Sequence, residues 1–111
     1  MALFPANSAG ASNTTVSVTY TGTDNTSHTE TVYFYKYGDV KCCFIRLPKY
    51  PKSKVNAVFD IPSGYEPSKP VYAMGSAEDD SPRACSLQSG KFAVYVTSVN
   101  DGGIYATATY L

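Results

Sequence analysis

From Thr15 onward the chain alternates apolar and polar positions over short runs separated by turn residues, the period-2 pattern of half-buried strands. In the first run, TVSVTY over 15–20, Val16, Val18 and Tyr20 share one face. The polar segment 21–29 predicts a loop. Strands over 31–37 and 40–47 flank Gly38-Asp39, a two-residue connection in which glycine supplies the positive φ that a tight hairpin needs. Further strands are predicted over 55–61, 70–76, 83–88, 91–99 and 104–110, with a second hairpin at Ser89-Gly90 and a turn at Asn100-Asp101-Gly102-Gly103. Short strands at intervals of roughly 8–12 residues, without helical periodicity, indicate a sandwich or a barrel. The expected fold is therefore all-β, an antiparallel β-sandwich of jelly-roll type with about eight strands.

The fourth strand carries the sharpest local signal. Val55, Ala57, Phe59 and Ile61 fall on one face, Asn56 and Asp60 on the other, with Val58 the one apolar residue on that second face. It runs into Ile61-Pro62-Ser63-Gly64-Tyr65-Glu66-Pro67, where proline ends ladder donation and Pro67 and Pro70 hold the chain extended. A rigid corner between two strands is expected. The lysine- and proline-rich segment 48–54 cannot pair as a central strand and predicts an exposed loop.

On the second strand, Tyr33, Tyr35 and Tyr37 fall opposite Val32 and Phe34. One face serves the domain's own core, so the tyrosine face has two explanations: a surface for a partner subunit or sugar, or a half-wet sheet of good strand formers.

Composition narrows the classes. The 111 residues suit one domain, here 15–111, preceded by an Ala-, Ser- and Asn-rich lead-in over 1–14 expected to be flexible or partner-dependent. Zero formal net charge with dispersed basic residues gives no nucleic-acid face. No apolar run nears the roughly 20 residues that span a bilayer, and the start lacks signal-peptide features, so a soluble, non-exported chain without membrane insertion is expected. Cys42, Cys43 and Cys85 are odd in number and include an adjacent pair, which predicts buried structural thiols rather than a disulfide framework. Their spacing makes no zinc site with His28, and neither cofactor nor metal is expected. The sequons at Asn13 and Asn25 read as polar loop.

Chemistry-bearing clusters are few. Glu78, Asp79 and Asp80 are adjacent, whereas glycoside hydrolysis holds two carboxyls roughly 5–9 Å apart across a cleft, and the glycine and distal glutamate of a calcium loop are missing. Cys43 and His28 lack a third member for nucleophilic catalysis. A non-enzymatic binding module is expected instead, with ligand contacts from three loops over 48–54, 77–82 and 100–103. The candidate ligand-binding residues are Tyr50, a flat ring in a proline-stiffened loop, and the hydrogen-bonding groups of Asp79, Asp80, Arg83, Asn100 and Asp101.

The order of strand, Gly38-Asp39 turn, strand, then an apolar strand closed by the corner over 61–67, then a glycine-turned hairpin and a last strand ending in Tyr110, resembles the C-terminal head domains of phage tail fibres and baseplate receptor-binding proteins. The likeness covers residues 30–111. It implies a structural corner at Pro62, Gly64, Tyr65 and Pro67 and a homotrimer whose subunit interface would take Tyr33, Tyr35 and Tyr37. It further implies a host-surface saccharide or protein as partner, and a place on the virion tail after folding in the bacterial cytoplasm. A purely structural trimerising or capping module is the alternative.

Overall fold

The computed structural model describes residues 11–95 and 99–111. Eight strands follow one another: β1 (Ala11–Thr21), β2 (Ser27–Tyr37), β3 (Val40–Leu47), β4 (Val55–Asp60), β5 (Val71–Ser76), β6 (Pro82–Gln88), β7 (Lys91–Val94) and β8 (Ile104–Tyr110). All pair antiparallel, in the order β1-β2-β3-β8-β5-β6-β7-β4. The all-β antiparallel class and the eight strands are those the alternation predicts. Hydrogen bonding runs through one nearly closed sheet instead of two separate sheets, with β1 approaching β4 across the gap without pairing.

Two weak seams divide this sheet. Between β8 and β5 the ladder is a single pair, Ser76 with Tyr105. The β2–β3 ladder stops at Tyr33–Phe44, although β3 continues to Leu47 against β8 and β2 extends back to Ser27 against β1. Gly75 makes the first seam possible: a Cβ there would sit 2.8 Å from the Tyr105 carbonyl oxygen and 3.0 Å from the Ala106 Cβ.

One core fills the space between the two halves of the sheet. Val32 and Phe34 point inward from β2, Cys43, Ile45 and Leu47 from β3, Leu87 from β6, and Phe92 and Val94 from β7. Phe34 meets Phe59 edge-on at 6.1 Å, and Phe59 stacks on Phe92 at 5.0 Å, so aromatic contact joins β2 to β4 and β7. Full burial of each such side chain contributes about 1.5–3 kcal/mol.

The Gly38-Asp39 hairpin forms as expected, pairing Tyr37 with Val40, and Gly38 takes φ 56° at the first turn position, where a type II′ turn calls for glycine. The corner over 61–67 is closed by a Tyr65 amide donating to the Pro62 carbonyl at 3.0 Å, with φ 90° at Gly64. Tyr65 is buried edge-on against Phe34, its hydroxyl is 2.7 Å from Ser12 Oγ, and its carbonyl accepts from the Tyr110 hydroxyl at 2.8 Å. Pro62 and Pro67 flank it, half-buried.

Four local expectations change. The loop expected over 21–29 is shorter, because β1 runs through Thr21 and β2 begins at Ser27. β1 begins at Ala11, so residues 11–14 belong to the sheet, where Asn13 and Thr14 face Tyr35 and Phe34; residues 1–10 of the expected lead-in lie outside the described residues. A bulge between Val55 and Phe59 breaks the alternation of β4: Ala57 is exposed while Val58 packs on the core. β7 ends at Val94, and residues 96–98 of the strand expected over 91–99 lie outside the described residues.

Candidate functional site

The three loops singled out in the sequence do converge at one end of the domain, but they are tied to one another. The Gly103 amide donates to the Tyr50 carbonyl at 2.8 Å, the Glu78 amide to the Gly102 carbonyl at 2.8 Å, and the Lys49 amide to Glu78 Oε1 at 3.2 Å. The turn between β1 and β2 joins them through the Thr23 amide, which donates to the Lys49 carbonyl at 2.8 Å.

Their proposed ligand contacts are largely consumed by this network. Tyr50, expected in an exposed loop, is 6% exposed and belongs to the core, with its ring 4.9 Å from that of Tyr20. The physical reason is that an amphipathic ring at the start of a loop finds more apolar contact inside than out. Arg83 is fully buried; its guanidinium donates to the carbonyls of Gly103 at 3.0 Å and Pro51 at 2.5 Å and lies over the Tyr50 ring. Neither side chain is open to a ligand. Asp79 accepts from the Ser81 amide and hydroxyl and from the Asn100 amide, which holds its carboxyl below the ordinary range. It therefore caps a turn. Asp80, Asn100 and Asp101 are exposed on the rim.

The large concavity lies elsewhere, on the outer face of the sheet. It is an open groove of about 900 Å³, floored by β3 and β8 and walled by the residues of β2 and β5 that diverge at the two seams. That volume is within the roughly 300–1,000 Å³ of small-ligand sites. Tyr33, Phe44 and Thr107 face each other across three strands, because the ladder registers Tyr33 with Phe44 and Phe44 with Thr107. Both rings are nearly half exposed, Tyr33 at 46% and Phe44 at 47%, and Met74, at 66%, stands on the opposite wall. Tyr35 packs edge-on against Phe44 at 5.8 Å, extending the aromatic surface beyond the groove, whereas Tyr37 is half-buried.

Polar groups collect at one end. The Arg46 guanidinium is 3.8 Å from Glu30 Oε1 and lies 5.9 Å from the centroid of the Tyr105 ring. The Tyr105 hydroxyl donates to Glu78 Oε1 at 2.6 Å. Burial, and then this bond to a carboxylate, push the Tyr105 hydroxyl up to about 12, so it remains a neutral donor at physiological pH. Hydroxyls of Thr29, Thr31, Ser76 and Thr107 line the remaining wall. Among the described residues no cluster of His, Cys, Asp and Glu could hold a metal ion.

Of the groove residues, only Tyr33 figured among the sequence candidates, as a subunit contact. Phe44 carried a readable signal: it is out of phase with Cys43, Ile45 and Leu47 and so points away from the core. Gly75 inside a strand was a second, marking close backbone approach.

No protein-family model matches the chain, nor does any curated protein or solved structure. Fold and groove together define a small all-β domain with an open, aromatic-floored cleft on its outer sheet face.

Proposed function

We propose that this domain is a binding module that takes a saccharide of a bacterial surface in the outer groove, as the receptor-contacting head of a phage or prophage tail protein. The exposed Tyr33–Phe44 pair on the groove floor carries this reading, because water-exposed aromatic rings next to convergent hydroxyls suit a pyranose, which has apolar faces and a polar rim. Arg46, Glu30 and the Tyr105 end supply directional hydrogen bonds. The resemblance over residues 30–111 supplies the biological setting, and the avidity of several copies on one particle would compensate for weak single sites.

The test is binding of the purified domain to an array of bacterial surface saccharides, repeated with Phe44→Ala. Specific binding reduced at least tenfold by the substitution, with only a small shift in melting temperature, supports the groove. Binding insensitive to Phe44→Ala and Tyr33→Ala removes it.

Tyr35, Val40 and Tyr72 are also exposed on this side, beyond what one sugar covers, and they favour a second reading in which the face packs against further copies in a three-fold, purely structural head. Under that reading Tyr35→Glu converts a three-chain particle into single chains.

A further inference from the structure

The Arg46 guanidinium and the Glu30 carboxylate stand side by side in the outer groove without bonding. They approach to 3.8 Å, beyond hydrogen-bond length, and neither side chain has a hydrogen-bond partner among the described residues. The seam between β2 and β3 is the cause. Continued past Tyr33–Phe44, that ladder would set Arg46 against Thr31 and Leu47 against Glu30, but the strands separate first. Glu30 shares the parity of the inward Val32 and Phe34, yet it lines the groove because the neighbouring strand has left its side. Arg46 is steadied from β8 instead: Tyr105 is its ladder partner, with the guanidinium 5.9 Å from the ring centroid, and the Tyr105 hydroxyl is fixed on Glu78 Oε1 at 2.6 Å.

We propose that the groove selects a neutral saccharide, two adjacent ring hydroxyls bridging Arg46 and Glu30 while an apolar face of the sugar lies against Phe44. This deepens the saccharide reading of the groove and rests on it. The hydrogen-bonding capacities decide the ligand class. Arg46 only donates, the Glu30 carboxylate only accepts, and the Tyr105 hydroxyl, its proton spent on Glu78, can offer a ligand only its oxygen. A ligand group that satisfies all three must both donate and accept, as a sugar hydroxyl does. A uronic carboxylate would match the fork of Arg46 but meet Glu30 as a like charge, with Glu78 behind Tyr105 adding a second. An ammonium would match Glu30 and meet Arg46. Two neighbouring hydroxyls meet neither conflict. Phe44 stands two residues from Arg46 on the same outward face of β3, about 7 Å along the strand, so a pyranose laid on its ring turns a hydroxyl edge toward the pair.

The test is calorimetric titration of the full chain with glucose-, galactose- and mannose-terminated oligosaccharides, their uronic-acid and amino-sugar counterparts, and deoxy analogues of whichever neutral sugar binds best. The same titrations follow for Phe44→Ala, Arg46→Gln and Glu30→Gln. Expected is a neutral sugar bound at least tenfold more tightly than both charged counterparts, with a loss of tenfold or more when either of two adjacent hydroxyls is removed. Arg46→Gln and Glu30→Gln should each weaken the neutral sugar at least tenfold, and Glu30→Gln should narrow the gap to the uronic acid. The ligand series needs only the wild-type chain, so it decides even if a variant folds poorly. A wild type that prefers the acidic or the amino sugar overturns the inference, as does neutral binding indifferent to Arg46→Gln and Glu30→Gln; in each case sensitivity to Phe44→Ala leaves the groove reading standing. Binding indifferent to Phe44→Ala, or no binding of any sugar, removes the groove reading and this inference with it.

Discussion

The guanidinium of Arg83 lies 5.9 Å from the centroid of the Tyr50 ring, with both side chains buried where the loops of one end meet. The two terminal guanidinium nitrogens donate to backbone carbonyls of Gly103, Pro51 and Ser53, segments that share no regular ladder with one another, while the buried Nε has no hydrogen-bond partner among the described residues. Desolvation lowers the Arg83 pKa and raises that of Tyr50, yet each stays in its ordinary state near neutral pH. The pair therefore works as an internal staple of the loop end.

Removing either half should cost stability. Arg83→Ala leaves buried carbonyls without a donor and is expected to destabilise by about 3–5 kcal/mol, and Tyr50→Ala by a similar amount through lost ring contacts. Urea denaturation measures both. A change under about 1 kcal/mol, the size of an ordinary surface substitution, would show that the staple contributes little.

Gly75→Ala should strain the seam between β5 and β8. Its Cβ would meet the Tyr105 carbonyl and Ala106, so overpacking of about 1–3 kcal/mol is expected, read as a lower urea midpoint with an unchanged slope. Thr107→Ala, on the neighbouring strand but exposed, serves as the near-neutral comparison.

Acid sensitivity has an identifiable source at the turn between β1 and β2. A hydrogen bond from His28 and others from Thr26 hold the Asp24 carboxyl at about 2, below its ordinary 3.8. Because the folded value is the lower one, the contribution is fully present above about pH 4 and is lost as pH falls toward 2. Asp24→Asn should flatten the pH dependence of the urea midpoint within that window. Glu78 and Asp79, also held low by their hydrogen bonds, keep part of it.

Thiol reactivity should divide the cysteines. Burial pushes Cys43 up to about 12 and Cys85 up to about 11, while Cys42 is half-buried on the outer face. A disulfide reagent at pH 8 is expected to modify Cys42 first and to count three thiols only after denaturation. A lower denatured count would mean a disulfide.

Phe44→Ala should separate binding from folding. An aromatic ring that is nearly half exposed, paired across the strand with Tyr33, contributes about 0.2–1 kcal/mol to the sheet, so calorimetry should show only a small shift in melting temperature.

The local pattern by itself determined the strands and their faces. Period-2 alternation is a property of neighbouring residues, so Val32 and Phe34 read as inward and Tyr33 and Tyr35 as outward before any fold was known. The Gly38-Asp39 turn was equally legible, because its backbone requirement lies within two residues. The tertiary structure decided what depends on distant partners. Strand order placed β8 between β3 and β5, the seams opened the groove between Tyr33 and Met74, and the bulge exposed Ala57. Tyr50 and Arg83 show the reason most plainly. Their residue types suit a wet rim, but the carbonyls of Gly103 and Pro51 and the ring of Tyr20 reach them only through folding, and that contact determines their burial.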